Sequence, residues 1–433
     1  MAYTKTNWAT AKISDANLNK MQQQYDEAIV DMWDARTNTA KEIRAYVVSS
    51  FPAHKAGLLI FHNGMKRFFM SNGSAWLVPP ADALFGGGTG GDLDSTGNIT
   101  ISNAVGATVI ADYSSFKLNE NHTLTTQNPC RCLIIRSWGD IVIDGEINLD
   151  KKGGFPGRYI TIGGVQYDLM GGNGGNGSDG GHGHISGGWG GSGGSVDANE
   201  DCAGGRRGGG GGGGGGILRR SGYLPWESLG GDGGPKNTCV NAGLDPVWGG
   251  EGGAPPPSSA QGGKDGDRGS GGGGAAILLP SVNYQAFGGR GGGSRDGGSG
   301  GGGGAGVCTS SSTADGENGS HGSGEYGGGA LVLLAAGDIV INGQILARGG
   351  KGGDGGAGDV TGSVGTPGAG GGGGGGGQGG GRVIILRRGS YVLNGNIILT
   401  GGSGGTAGSP AGTGTEGWDG SAGASGTVQA VQI

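Results

Sequence analysis

Three of the 116 glycines in this chain, Gly57, Gly64 and Gly73, lie before Phe85, and all the others follow it. Such a boundary divides the chain into an ordinary part and a part with few side chains to bury. A glycine-rich stretch either stays a flexible linker or orders because backbones pack directly on backbones. An apolar content of 33% and an aromatic content of 6% are too low for a conventional core in a chain of 433 residues.

The sequence favours order, because the glycine part contains a repeat. Residues 133–149 read LIIRSWGDIVIDGEINL, 331–346 read LVLLAAGDIVINGQIL, and 384–399 read IILRRGSYVLNGNIIL. In each, one glycine (Gly139, Gly337, Gly389) precedes a second (Gly145, Gly343, Gly395) by six residues, and Asp144, Asn342 or Asn394 stands before the second. This predicts strand, tight turn, strand, a turn with positive φ, and strand. Residues 275–287, AAILLPSVNYQAF, read as a degenerate fourth copy.

Between the apolar units run five glycine segments, roughly 153–216, 230–274, 288–329, 349–381 and 401–426. Triplets such as GGN-GGN-GSD-GGH at 171–182 and GGK-GGD-GGA at 349–357 suggest a period of three. Collagen shares that period, but 14 prolines and frequent loss of phase argue against it. The remaining option is a sheaf of polyglycine-II-like helices, which bond to neighbours rather than internally. Ordering costs about 1–2 kcal/mol per residue and a hydrogen bond returns about 1, so such a sheaf needs anchoring. The apolar strand units are the expected anchor.

The N-terminal part reads differently. Leu18, Met21, Tyr25, Ala28 and Met32 recur at helical spacing after a capping Ser14, predicting a helix over 14–47. In GLLIFHNGMKRFFMSNGSAWL, residues 57–77, Asn63-Gly64 and Asn72-Gly73 predict small β-hairpins. The expected organisation is a helical attachment region (1–50), a small β module (51–85), a linker and β-rich shoulder (86–132), and a glycine-rich repeat body with binding loops (133–433). The fold class is mainly β with polyglycine-II-like helices and a short N-terminal α-helix, in an elongated, repeat-containing fibre.

Several functions are disfavoured. A charge of −6 without basic blocks argues against nucleic acid. The sequence holds no apolar stretch of membrane-spanning length, and its N-terminus lacks the pattern of a signal peptide. No Gly-rich motif continues into Gly-Lys-Ser/Thr; the nearest, Gly263-Lys264, is followed by Asp265. GGKGGD at 349–354 starts like a calcium nonapeptide but has Gly356 at the aliphatic position. The histidines have no recognisable nucleophile partner. Carboxylate pairs such as Asp265/Asp267 would serve glycan cleavage only in a groove, so the expectation is no enzyme. Cys130 and Cys132 read as small buried side chains on one strand face, while Cys202 and Cys239 leave a disulfide open. His182-Gly183-His184 reads either as two solvated histidines or, where three chains meet, as six nitrogen ligands for a transition metal. No other cofactor is expected.

The segment 217–260 interrupts the glycine with Tyr223, Trp226 and Trp248. Together with Trp189 and Tyr326 these are the candidate receptor-binding residues, since exposed aromatics on rigid loops stack on sugars and anchor interfaces. The bland alternative is that they plug the end of the sheaf.

Residues 6–21, TNWATAKISDANLNKM, resemble the N-terminus of phage and prophage tail-fibre proteins, and residues 57–76 look like the small β module of the same proteins. The GDIVIDGEINLDKKGG unit and its copies are similar to the glycine-rich repeat of phage receptor-binding fibres and adhesins. The resemblance implies a virion-tail protein that is homotrimeric, attached to a tail or baseplate protein by its N-terminal region and to a host cell-surface glycan by its body. Histidine pairs like His182/His184 bind iron in some trimeric tail fibres. Two alternatives stay open: a tailspike-like polysaccharide depolymerase, and a bacterial glycine-rich surface adhesin.

Overall fold

The computed structural model describes residues 88–183, 190–193, 202–204, 209–218, 226–232, 263–265, 271–278, 286–287, 289, 301–308, 314–315, 326–361 and 368–433, with 46–48, 53, 59–62, 67–71, 76–77 and 83–86 before them. The chain forms two compact units, Met1–Gly87 and Gly88–Ile433. In the first, Tyr46–Val48, Leu59–His62, Arg67–Ser71 and Trp76–Leu77 form a sheet in that order. The expected hairpins are present. Their registers, His62 opposite Arg67 and Ser71 opposite Trp76, leave four-residue connections at both Asn-Gly sites. Tyr46 and Val47, the end of the predicted helix, are strand; the rest of that helix lies outside the described residues.

The second unit is built on three parallel five-stranded sheets around one core. Face one holds Thr108–Tyr113, Cys132–Ser137, Ala330–Ala335, Arg382–Arg387 and Thr427–Gln432. Face two holds Asp92–Asp94, Ser115–Leu118, Ile141–Ile143, Ile339–Ile341 and Tyr391–Leu393. Face three holds Ile99–Ile101, Thr123–Thr126, Glu146–Asn148, Gln344–Leu346 and Asn396–Ile398. The chain visits the faces in turn, so each repeat read from the sequence is one coil of a stack. Period-two alternation sends Leu133, Ile135, Ile141, Ile143 and Ile147 inward, and the next coil aligns Leu331, Leu333, Ile339, Ile341 and Ile345 with them. All ten are fully buried. Each such side chain contributes about 1.5–3 kcal/mol by leaving water. A slip of one residue would turn the row outward, so burial fixes the register.

The turn glycines behave differently from expectation. None of Gly145, Gly343 and Gly395 has positive φ. They are required because coils touch at the corner: a Cβ on Gly343 would overlap the Gly145 carbonyl, and one on Gly395 the Gly343 carbonyl. The residues before them form a ladder in which Asn342 Nδ2 donates to Asp144 Oδ1 (2.7 Å) and Asn394 Nδ2 to Asn342 Oδ1 (2.8 Å). At the other corner the Asp338 and Ser390 backbone N–H groups donate to Asp140 Oδ1 (2.8 Å) and Asp338 Oδ1 (2.6 Å).

The β-rich shoulder expected in 86–132 begins the same stack, with strands on all three faces. It escaped the repeat search because four residues, 119–122, separate Leu118 from Thr123, where later coils have two. Asn121, at φ 64°, takes that corner's left-handed position. Residues 275–287 are no coil: Ala276–Leu278 and Ala286–Phe287 pair in separate small sheets. At the C-terminal end the core is open. Leu393 and Val428 align with the fully buried Ile341 and Val383, yet are 46% and 45% exposed.

Cys130 and Cys132 are buried free thiols, as expected, but do not share a face. Cys130 packs in the core, whereas Cys132 precedes inward Leu133 on its strand and so belongs to the outward row. Burial pushes their pKa values up to about 12 and about 11 from 9.0. The folded state therefore holds protons that the unfolded state releases above pH 9. The thiols' contribution to stability is intact below pH 9 and is lost as pH rises toward 11 and 12. Native protein at pH 8 is expected to leave both thiols unalkylated by iodoacetamide, with labelling on addition of guanidinium; peptide mapping by mass spectrometry reads the result. Cys239, the proposed partner of Cys202, lies outside the described residues.

The glycine arms all lie between a face-three strand and the next face-one strand. Between Asn148 and Ala330 the described out-running limbs are 171–183, 209–218, 271–278 and 301–308. A fifth arm (347–381) and a sixth (399–426) follow the next two coils. Among the described residues there are thus six out-running limbs, and the apolar strands Gly216–Leu218 and Ala276–Leu278 stand at the outer ends of two of them.

Inter-arm hydrogen bonds fall every third residue. Gly349, Gly352, Gly355 and Gly358 donate to Thr400, Ser403, Thr406 and Ser409 at 2.8–3.0 Å. This continues the face-three ladder, where Ala347 donates to Ile398, with the same residue offset. The return limb 370–381 lies at the centre. It donates to 415–424 from Gly371, Gly374, Gly377 and Gly380, to 347–356 from Gly372, Gly375, Gln378 and Gly381, and to 209–215 from Gly370, Gly373 and Gly376. It accepts from 172–181, from 402–408 and from Gly302 and Ala305. It accepts from Gly328 as well, so one buried segment is bonded to seven other described segments, which is possible only where side chains are absent.

Candidate functional site

The outer ends of the arms are tied together by short strands. Trp226–Ser228, Gly216–Leu218, Gly368–Ala369 and Ala411–Gly412 form one sheet in that order, joining the second, fifth and sixth arms. Ala276–Leu278, Gly306–Cys308 and Asp359–Thr361 form another, joining the third, fourth and fifth. The connections 219–225, 279–285, 309–313 and 362–367 therefore start and finish at one end of the arm bundle.

The aromatics singled out in the sequence are dispersed. Trp226 begins the strand paired with Gly216–Leu218, Leu218 opposite Trp226. Tyr223 belongs to the connection before it, and Trp189 to the connection between the limbs of the first arm. Both lie outside the described residues, as do Trp248, His184 and Asp267. Tyr326 is half-buried at the arm base, stacked on Phe155 with ring centroids 5.4 Å apart, where the chain enters Ala330–Ala335. Asp265 accepts from the Asp232 backbone N–H (2.8 Å).

His182 lies on the out limb of the first arm. Its Nδ1 accepts from the Gly190 backbone N–H (3.1 Å), and its ring makes a T-shaped contact with Trp418, centroids 6.0 Å apart at 79°. Trp418, on the return limb of the sixth arm, is 54% exposed. Its backbone is fixed on both sides, N–H to Asp179 O (3.1 Å) and C=O from Gly374 N–H (2.9 Å). Trp418 was not among the candidate residues read from the sequence. Its flanks, Glu416 and Asp419 in EGWDG, were the available signal. No group of three or more His, Cys, Asp or Glu among the described residues is placed to hold a metal. No described helix is long and apolar enough to cross a membrane.

In comparisons with known proteins the chain matched no family model, no curated protein and no solved structure.

Proposed function

We propose that this chain is a structural receptor-binding protein, a tail fibre or adhesin of a phage or phage-like particle. Its N-terminal residues attach it to the tail, as a homotrimer in the resemblance, and its arms present loops to a cell-surface glycan. The arms are read as polyglycine-II-like helices, about 3.1 Å per residue. The observation that carries the reading is the gathering of arm ends: a backbone lattice fixes them while leaving their connections free to vary in sequence. Rigid scaffolds holding variable loops are a common design for recognition.

Deleting 219–225, the connection that holds Tyr223, is expected to abolish co-sedimentation of labelled protein with susceptible bacterial cells while leaving the melting temperature within a few degrees. Undiminished binding by this variant, tested beside the larger 217–260 deletion, would remove the loop assignment.

The parallel three-sided stack favours one other reading, a polysaccharide depolymerase on a β-solenoid scaffold. It requires release of reducing ends from envelope glycans by the purified protein; absence of release across such substrates counts against it.

A further inference from the structure

We infer that Trp418 forms a second glycan subsite on the flank of the arm bundle, and that it takes neutral pyranose rings. The inference rests on the receptor-binding reading and adds a location and a sugar class to it. Three observations converge on one patch. The first is an exposed indole whose backbone is clamped between two arms by the Asp179 and Gly374 bonds, with His182 in a T-shaped contact beside it. A platform already ordered loses little conformational entropy when a ring stacks on it. Stacking on an aromatic face suits a sugar, whose one side is a row of C–H groups.

The second is the acceptors beside it. Asp179, hydrogen-bonded through its backbone to Trp418, is exposed, and its Oδ1 accepts from the Gly193 backbone N–H (2.7 Å). Asp419, the next residue, is exposed, and its Oδ1 accepts from the Ala407 backbone N–H (2.7 Å). Each bond orients a carboxylate and uses one oxygen, so the other can accept from a sugar hydroxyl. Charge-assisted bonds of this kind are the stronger ones.

The third is charge. The limbs 171–183 and 399–426 carry Asp179, Glu416 and Asp419 and no lysine or arginine. Three carboxylates with no lysine or arginine on the same two limbs repel a uronate, sialate or phosphate. The same groups cost a hexose or N-acetylhexosamine nothing, so the patch selects against acidic glycans.

The test is calorimetric titration of the full chain with chitotetraose, maltoheptaose and polygalacturonate, for wild type, Trp418→Ala and Trp418→Phe, beside co-sedimentation of the same proteins with bacterial cells. The expected result is saturable binding of at least one neutral oligosaccharide, weakened about tenfold or more in Trp418→Ala, largely kept in Trp418→Phe, and no binding of polygalacturonate. Thermal melts establish that the variants are folded. Neutral probes that bind equally to Trp418→Ala, or bind to no variant, overturn the inference, as does polygalacturonate binding as tightly as the neutral probes. If cells are bound and the neutral probes are indifferent to Trp418, the subsite fails and the receptor-binding reading stands. If the probes bind through Trp418 but no strain is bound, the reading fails and the subsite stands.

Discussion

Gly374→Ala is expected to destabilise the body by about 3–4 kcal/mol, a large cost for one methyl group. The new Cβ would overlap the Gly405 carbonyl and press on the Gly420 backbone N–H at 2.8 Å. Gly374 also donates to Trp418 O (2.9 Å) and accepts from Ser178 N–H (3.0 Å), so moving it aside weakens bonds to the sixth arm and to the first. No flexible side chain is present to give way, since every atom in the path is backbone. Gly97→Ala is the matched control. A Cβ there meets nothing within 4 Å and φ is not positive, so the change should be neutral or stabilising by about 0.4–1 kcal/mol through the unfolded chain. Thermal melts of both variants decide the matter: equal melting temperatures would mean that direct backbone contact does not hold the arms.

The second large effect separates the inside of the stack from its open end. Ile341→Ala should cost about 2–5 kcal/mol, because the side chain is fully buried between aligned neighbours and its loss leaves a cavity. Leu393→Ala removes a side chain from the same inward column one coil later, where almost half of it meets solvent. Its cost should stay below about 1 kcal/mol. Denaturant midpoints compare the two directly. A cost at Leu393 as large as at Ile341 would show that the end is covered in solution.

Much of the stack was legible because its information is local. Alternating apolar residues such as Ile141/Ile143 and Ile339/Ile341 state both the strand and the face that must be buried, and equal spacing of Gly139/Gly145, Gly337/Gly343 and Gly389/Gly395 states the coil. Coils that depart from that spacing, such as 108–126 with its longer corner at Asn121, were invisible to the same search. Residues 275–287 were misplaced for the opposite reason: an apolar run of strand length looks the same at the outer end of an arm as in a coil.

The site was less legible. Tyr326 and Trp226 are both aromatics flanking glycine tracts, yet one stacks on Phe155 at the arm base and the other belongs to the sheet that joins the outer ends. Trp418 gains significance only from Asp179, brought beside it from the first arm.

The sequence by itself determined that the chain has an apolar repeat, that glycine follows each copy, and that the glycine part is not an ordinary core. The tertiary structure decided which arm bonds to which and that 370–381 sits at the centre of its neighbours. The physical reason is that glycine carries no side chain with which to encode a partner. Its only recognition groups are N–H and C=O, the same at every position. For the fifth and sixth arms, the coils launch the limbs with the ladder register already set, so Gly349–Thr400 inherits the offset of Ala347–Ile398.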